Sequence, residues 1–197
     1  MRNGRIVVIE GMDKAGKTTQ SRLLVTALKN KGKICSSIDF PHYSTPIGRE
    51  IKSFLDRKHE FPDEAKLMLL SANRWEKKKD IEQMLSDGTV LVMNRYYHSN
   101  LVYGVSKNLD LDWLLALDRG LPKEDLCIVL EIHPSISKSR SQRPGDLFEN
   151  DKDLLKTVYK NYKKLARLFG WKTTDGERSK EEVSRDILEM VLKFVKI

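Results

Sequence analysis

The stretch "GMDKAGKT", residues 11–18, is where residue types and spacing most directly specify chemistry. It satisfies G-x-x-x-x-G-K-[ST]. Its glycines let the backbone turn N–H groups inward around a phosphate, and a helix opening near Gly16 adds its positive dipole end. Lys17 is placed for β- and γ-phosphates and Thr18 for Mg²⁺. Gly11, Met12, Asp13, Lys14, Ala15, Gly16, Lys17, Thr18 and Thr19 form the candidate nucleotide-phosphate set. The motif specifies phosphate binding without specifying a substrate. The chain has no N-K-x-D guanine reader, and "VLVMN" ends in Asn94 where a motor ATPase would place a magnesium-linked acid. Glu131 in "CIVLEI" is an alternative acid, but lies in the wrong neighbourhood if the strand order is ordinary. No Ser-His-Asp or Cys-His set is present, and the four histidines lack metal-ligand spacing, so they read as surface or structural. Small-molecule phosphotransferases remain as the leading class.

Such a loop needs a strand before it and a helix after it. Arg5 to Glu10 is a short Ile/Val-rich run that reads as a buried strand, and Thr18 to Lys31 has helical apolar spacing through Leu23, Leu24, Ala27 and Leu28. Ile34 to Phe40 reads as a second strand, followed by a helix over Pro46 to Leu55. One long helix is predicted from Pro62 to Ser86, ending at Asp87-Gly88, and helix again over 97–118. Thr89 to Met93 and Leu126 to Ile132 are continuous apolar runs, as expected of parallel strands covered on both faces. A helix over 151–169, a strand over Trp171 to Thr174 and a helix over Lys180 to Val195 close the chain. The alternation predicts a three-layer α/β/α fold with a central parallel sheet, as one domain over 1–197. The polar stretch 137–151, "SKSRSQRPGDLFEND", reads as a short lid.

Composition agrees. With 36 basic and 28 acidic residues among 197, the net charge of +8 favours an anionic partner. Cys35 and Cys127 both sit in apolar strand-like runs, which suits structural thiols in a reducing compartment. The only apolar run near the amino terminus, Ile6 to Ile9, is too short for a signal or a membrane span, so a cytoplasmic protein without a membrane partner is expected.

Beyond the loop, "DFPHYST" at 39–45, "SANRWE" at 71–76, "NRYYHSN" at 94–100, "GLPKEDL" at 120–126 and "FEND" at 148–151 together resemble the thymidylate kinase family in order and spacing, over nearly the whole chain. The resemblance implies a P-loop NTPase fold, transfer of the ATP γ-phosphate to dTMP, Mg²⁺ as cofactor and a homodimer, with nucleic acid not expected as a partner. It implies that Asp13 meets the sugar 3′-hydroxyl, Phe40 packs on the deoxyribose, and Tyr43 and Arg95 hold the dTMP phosphate, Arg95 as a planar fork. Arg74 and Asn100 would read the base, Tyr103 would crowd the 2′ position, and Glu149 would join the acceptor site from the lid. Lys14 matches a basic residue that some members use on the transferring phosphoryl group, and others use lid arginines. Arg140 and Arg143 are both present, so Lys14 and Arg143 join Lys17 and Arg95 as catalytic candidates, with Arg140 on ATP.

Three positions depart from the family pattern. Leu70 replaces the Phe that stacks on thymine, at a cost of about 1 kcal/mol. Phe148 replaces a Tyr before Glu149. Asn94 replaces the Asp of an Asp-Arg pair, and an amide carries no negative charge toward a magnesium water shell. These departures keep two alternatives open: a kinase for another deoxynucleoside monophosphate, and a catalytically weak nucleotide- or nucleic-acid-binding relative.

Overall fold

The computed structural model describes residues 3–140 and 152–195. Five strands, β1 (Arg5–Gly11), β2 (Cys35–Asp39), β3 (Val90–Asn94), β4 (Leu126–Glu131) and β5 (Lys172–Asp175), form one parallel sheet in the order β2-β3-β1-β4-β5. Ile6, Val7, Val8 and Ile9 of β1 and Leu91, Val92 and Met93 of β3 are fully buried. This explains the continuous apolar runs, because helices cover both faces of these strands. On one face α1 (Lys17–Asn30) packs over β1, β2 and β3 and beside α9 (Lys180–Val195). On the other, α5 (Tyr97–Ser106) lies against β1 between α3 (Asp63–Glu76) and α8 (Lys152–Phe169).

The predicted strands and the helices after the loop, at 46–55 (α2, Pro46–Leu55) and at the carboxyl end, fall within one or two residues of expectation. Two predicted helices divide. The long helix breaks at Lys77, separating α3 from α4 (Lys78–Ser86). The end of α3 is tied elsewhere: Asn73 Nδ2 donates to Thr45 Oγ1 at 2.8 Å, Ile47 N donates to Glu76, and Trp75 Nε1 donates to the Leu117 carbonyl at 2.9 Å. The segment 97–118 divides into α5 and α6 (Leu111–Leu117), because Asn108 adopts a left-handed φ of 61° and Asp110 caps α6 by accepting from Trp113 N at 2.8 Å. The start of the predicted lid is partly helical, in α7 (Pro134–Ser139), and the rest lies outside the described residues. Both cysteines are buried and free.

Candidate active site

The phosphate loop joins β1 to α1 as its chemistry requires. Gly16, at φ 98°, is the residue before the first turn of α1, a backbone conformation that favours glycine. Met12 and Ala15 are core side chains, so only their backbone faces the ligand, whereas Lys14, Thr18 and Thr19 are exposed. Lys17 is buried, with Nζ donating to the carbonyls of Gly11 at 3.0 Å and Met12 at 2.7 Å. Burial, reinforced by nearby Arg95, lowers the Lys17 ammonium to about 8 against the opposing pull of Asp13 and Glu10. A cavity of about 370 Å³ opens over the loop, lined by Lys14, Gly16, Lys17, Thr18, Thr19 and Arg140, with Asn94 and Arg95 on its far wall. Arg140 is held there by a bond from Nη1 to the Gly176 carbonyl at 3.1 Å.

A second cavity, also about 370 Å³, adjoins it and brings together Phe40, Tyr43, Leu70, Arg74, Asn100 and Tyr103 with Asp13 and Arg95. Leu55, Leu67 and half-buried Leu70 give it an aliphatic wall. Arg74 is almost fully buried, and its guanidinium is already engaged: Nε and Nη2 donate to the two carboxylate oxygens of Asp118 at 2.9 and 2.8 Å. Its Nη1 lies 3.5 Å from Asn100 Oδ1, and Asn100 Nδ2 donates to the Leu67 carbonyl at 2.9 Å. The two candidate base readers therefore form one fixed unit. Asp118, which no motif singled out, anchors it.

Arg95 stands where the cavities meet. It adopts a left-handed φ of 65°, a strained conformation for a side chain of this size that persists where the surroundings over-determine it. Its Nη2 pairs with Asp13, and Nη1 donates to Ser99 Oγ at 2.8 Å. Ser99 in turn donates to Glu10, a carboxylate with no exposed surface that also accepts from Tyr96 N at 3.0 Å and from the Tyr162 hydroxyl at 2.9 Å. Burial and then Glu10 push the Tyr162 phenol well up, so it stays a donor. For Asp13, burial raises its carboxyl, yet Arg95 and Lys17 outweigh it and hold it well below the usual carboxylate range. Tyr103 adds a bond from its hydroxyl to Asp13 Oδ2 at 3.2 Å. Glu10 was invisible as a functional residue in the sequence, where it reads as one polar letter at the end of a strand. The only available signal was an acid in an otherwise apolar run.

For a metal, the candidates are oxygen donors. Asn94 Nδ2 lies 3.0 Å from Thr18 Oγ1, and Asn94 Oδ1 is buried without a partner. Among the described residues no group of three or more His, Cys, Asp or Glu could cage an ion. This set fits a cation that arrives on nucleotide phosphates and keeps most of its waters, the habit of Mg²⁺. Glu131 is remote, beyond β1 from β3, facing Lys163 at 3.8 Å. Of the four histidines, His98 is fully buried with Nε2 3.1 Å from Glu124, a structural pairing outside both cavities. Arg143 and Glu149 lie outside the described residues.

Comparison with known proteins agrees with this geometry. The family model described as Thymidylate kinase matches residues 9–187. The chain is 37% identical over 190 residues to the thymidylate kinase of Homo sapiens, covering 94% of this chain and 89% of that protein. It is 35% identical over 192 residues to that of Danio rerio, covering 96% and 90%. A solved thymidylate kinase from Candida albicans, 28% identical, superposes with a TM-score of 0.87 over 96% of this chain and 92% of that one. With a family match that starts at the last residues of β1 and runs into α9, and likeness in both sequence and fold along nearly its full length, the chain belongs to the thymidylate kinase family.

Proposed function

We propose that this chain transfers the γ-phosphoryl group of ATP to dTMP, giving dTDP for DNA precursor synthesis. One observation carries the reading: Asp13, Thr18, Phe40, Asn94 and Arg95 line both cavities, so a donor phosphate chain on the loop and an acceptor phosphate on Arg95 share a boundary. The relatives that bear the thymidylate kinase name favour dTMP over the alternative acceptors and over a non-catalytic role.

Transfer needs no covalent intermediate. Backbone N–H groups of the loop and Lys17 hold the donor phosphates, and Arg95 presents a planar fork to the acceptor phosphate. Lys14 and Arg140 from the described residues, with Arg143, supply positive charge that neutralises the negative charge redistributed on the transferring group. Thr18 and Asn94 would hold Mg²⁺, which would supply neutralisation of the negative charge on the donor phosphates. In the acceptor cavity, Arg74 and Asn100 present polar groups to the base edge while Asp118 fixes them, Phe40 faces the sugar, Tyr43 stands at the rim and Tyr103 restricts the 2′ side. Glu149, outside the described residues, is assigned to the same acceptor site by the family resemblance.

The protein is further read as a homodimer in the cytoplasm, without nucleic acid as a partner. Exposed Met68 and Trp75 on α3 support a self-associating face, and the two buried thiols support a reducing compartment. No helix among the described residues is long and apolar enough to cross a membrane.

The test is a coupled ADP-release assay with ATP, Mg²⁺ and a panel of dTMP, dUMP, TMP, dCMP and dGMP. Turnover greatest with dTMP is expected. Turnover with dGMP or dCMP but not dTMP would overturn the reading.

A further inference from the structure

Asn94 leaves the end of β3 without a negative charge, yet the phosphate end of the site does not lack carboxylates. Asp13 and Asp39 both line the acceptor cavity. Asp13 is committed, paired with Arg95 and 3.7 Å from Lys17. Glu10 is committed as well, sealed beneath the loop by Ser99, Tyr96 and Tyr162. Asp39 has no ion pair among the described residues and is exposed.

Its position follows from the sheet. Asp39 is the register partner of Asn94 in the parallel β2–β3 pair, and Phe40 N donates to the Asn94 carbonyl at 3.0 Å, which fixes the two strand ends together. Register partners in adjacent strands project to the same face, about 4.8 Å apart. Asn94 reaches Thr18 on the α1 face, so Asp39 projects from that face too, one strand further out, and shares a cavity wall with Asn94 and Thr18. A bare carboxylate in a cavity that receives an acceptor phosphate and borders a donor triphosphate repels both. With a divalent cation on the nucleotide, the same carboxylate becomes an attraction.

We propose that Asp39 supplies the counter-charge to the nucleotide-bound divalent cation that Asn94 cannot, the carboxylate having been displaced by one strand from β3 to β2. The proposal rests on the metal-nucleotide reading of the loop above, with Thr18 as direct ligand and Asp39 acting through the ion's water shell.

The experiment uses the full chain with ADP and Mn²⁺ as the probe, free Mn²⁺ being read by electron paramagnetic resonance. Asp39→Asn is expected to raise the Mn²⁺ dissociation constant of the protein–ADP complex about tenfold, the usual scale for losing an outer-shell partner. Asp39→Asn combined with Asn94→Asp moves the charge back to β3 and is expected to restore it to within about twofold of the parent. In EDTA the Asp39→Asn protein is expected to bind ADP as tightly as the parent or more tightly, because a repulsion has been removed; weaker binding would reveal a merely structural role and overturn the proposal. An unchanged Mn²⁺ dissociation constant in Asp39→Asn, or no recovery in the double variant, overturns it as well. If the parent protein–ADP complex holds Mn²⁺ no better than ADP alone, the metal reading itself fails, and the proposal with it.

Discussion

On the donor side, the groups that meet phosphate are consecutive in the chain apart from Arg140, and much of the work is done by backbone that β1 and α1 hold in place. Across the boundary, the acceptor cavity takes Arg74 from α3, Arg95 from the end of β3 and Asn100 and Tyr103 from α5, and each is set by a residue far away in sequence: Arg74 by Asp118, Asn100 by Leu67, Tyr103 by Asp13, and Arg95 by Glu10 through the neighbouring Ser99. The donor loop is a local device that needs its flanking elements only as supports. The acceptor cavity is a tertiary one, with charge pairs buried in low dielectric, where removing one member leaves the other uncompensated. Point changes on the two sides should therefore fail in different ways.

The largest effect is expected at their shared boundary. Arg95→Ala removes the fork offered to the acceptor phosphate and should lower kcat/KM for dTMP by about 10³-fold, the scale for losing one preorganised charge donor. Affinity for a non-hydrolysable ATP analogue, measured by calorimetry, should change little. An equal loss in both would show that the two sides are a single unit.

Next comes the anchor of the base readers. Asp118→Asn leaves Arg74 buried without its counter-charge, which should cost about 3 kcal/mol of folding stability, read by urea denaturation, and raise KM for dTMP. On the donor side, by contrast, removing the exposed Thr19 hydroxyl with Thr19→Ala should leave stability within about 0.5 kcal/mol of the parent.

The phosphate loop, the parallel sheet and nearly all element boundaries were legible because their signals are local: periodicity, glycine spacing, apolar runs. The candidate acceptor residues were legible through motif resemblance alone, and the cavity does bring Phe40, Tyr43, Leu70, Arg74, Arg95, Asn100 and Tyr103 together. What sequence could not supply were the partners. Asp118 follows an ordinary amphipathic helix, Glu10 ends a strand, and Asp39 becomes notable only through its register with Asn94. The breaks at Lys77 and Asn108 were missed for the same reason, since helical periodicity continues through both while capping and distant hydrogen bonds decide where the helix stops.

A smaller effect separates the sides by pH. Lys17 titrates near 8 in the free protein, below its ordinary value, whereas Arg95 is pushed above its own by Asp13, against burial, and stays charged. As pH rises through about 8, free Lys17 loses its proton, so phosphate binding must recover it. Affinity for the ATP analogue should therefore fall above pH 8 by at most about tenfold per unit, with proton uptake seen by calorimetry in two buffers of different ionisation heat. The folding linkage has the opposite sign: the unfolded chain holds the Lys17 proton longer, so this group's contribution to stability increases from pH 8 towards 10.5. Binding of dTMP alone should stay flat over that range, since Arg95 keeps its charge.

The smallest expected effect tests whether the acceptor cavity is tertiary throughout or only in its polar half. Leu70 is half-buried on the cavity wall, beside Leu67 and Leu55, and makes none of the bonds that fix Arg74 and Asn100. Leu70→Phe presents a ring to the open cavity rather than to packed core, so it need not strain the fold. An offset-stacked ring should gain about 1 kcal/mol on a pyrimidine, seen as a fall of about fivefold in KM for dTMP with KM for ATP unchanged. Residue 70 lies one turn from Arg74 on α3, but its apolar side chain forms no hydrogen bond with the Arg74–Asp118 pair, so the effects of Leu70→Phe and Asp118→Asn on KM should add to within about 0.5 kcal/mol. Additivity would mean that the apolar wall adjusts fit independently of the charge network that fixes orientation. A coupling well beyond that limit would mean that the wall and the Arg74–Asp118 pair move together, and that the base is held by one tertiary unit from edge to face.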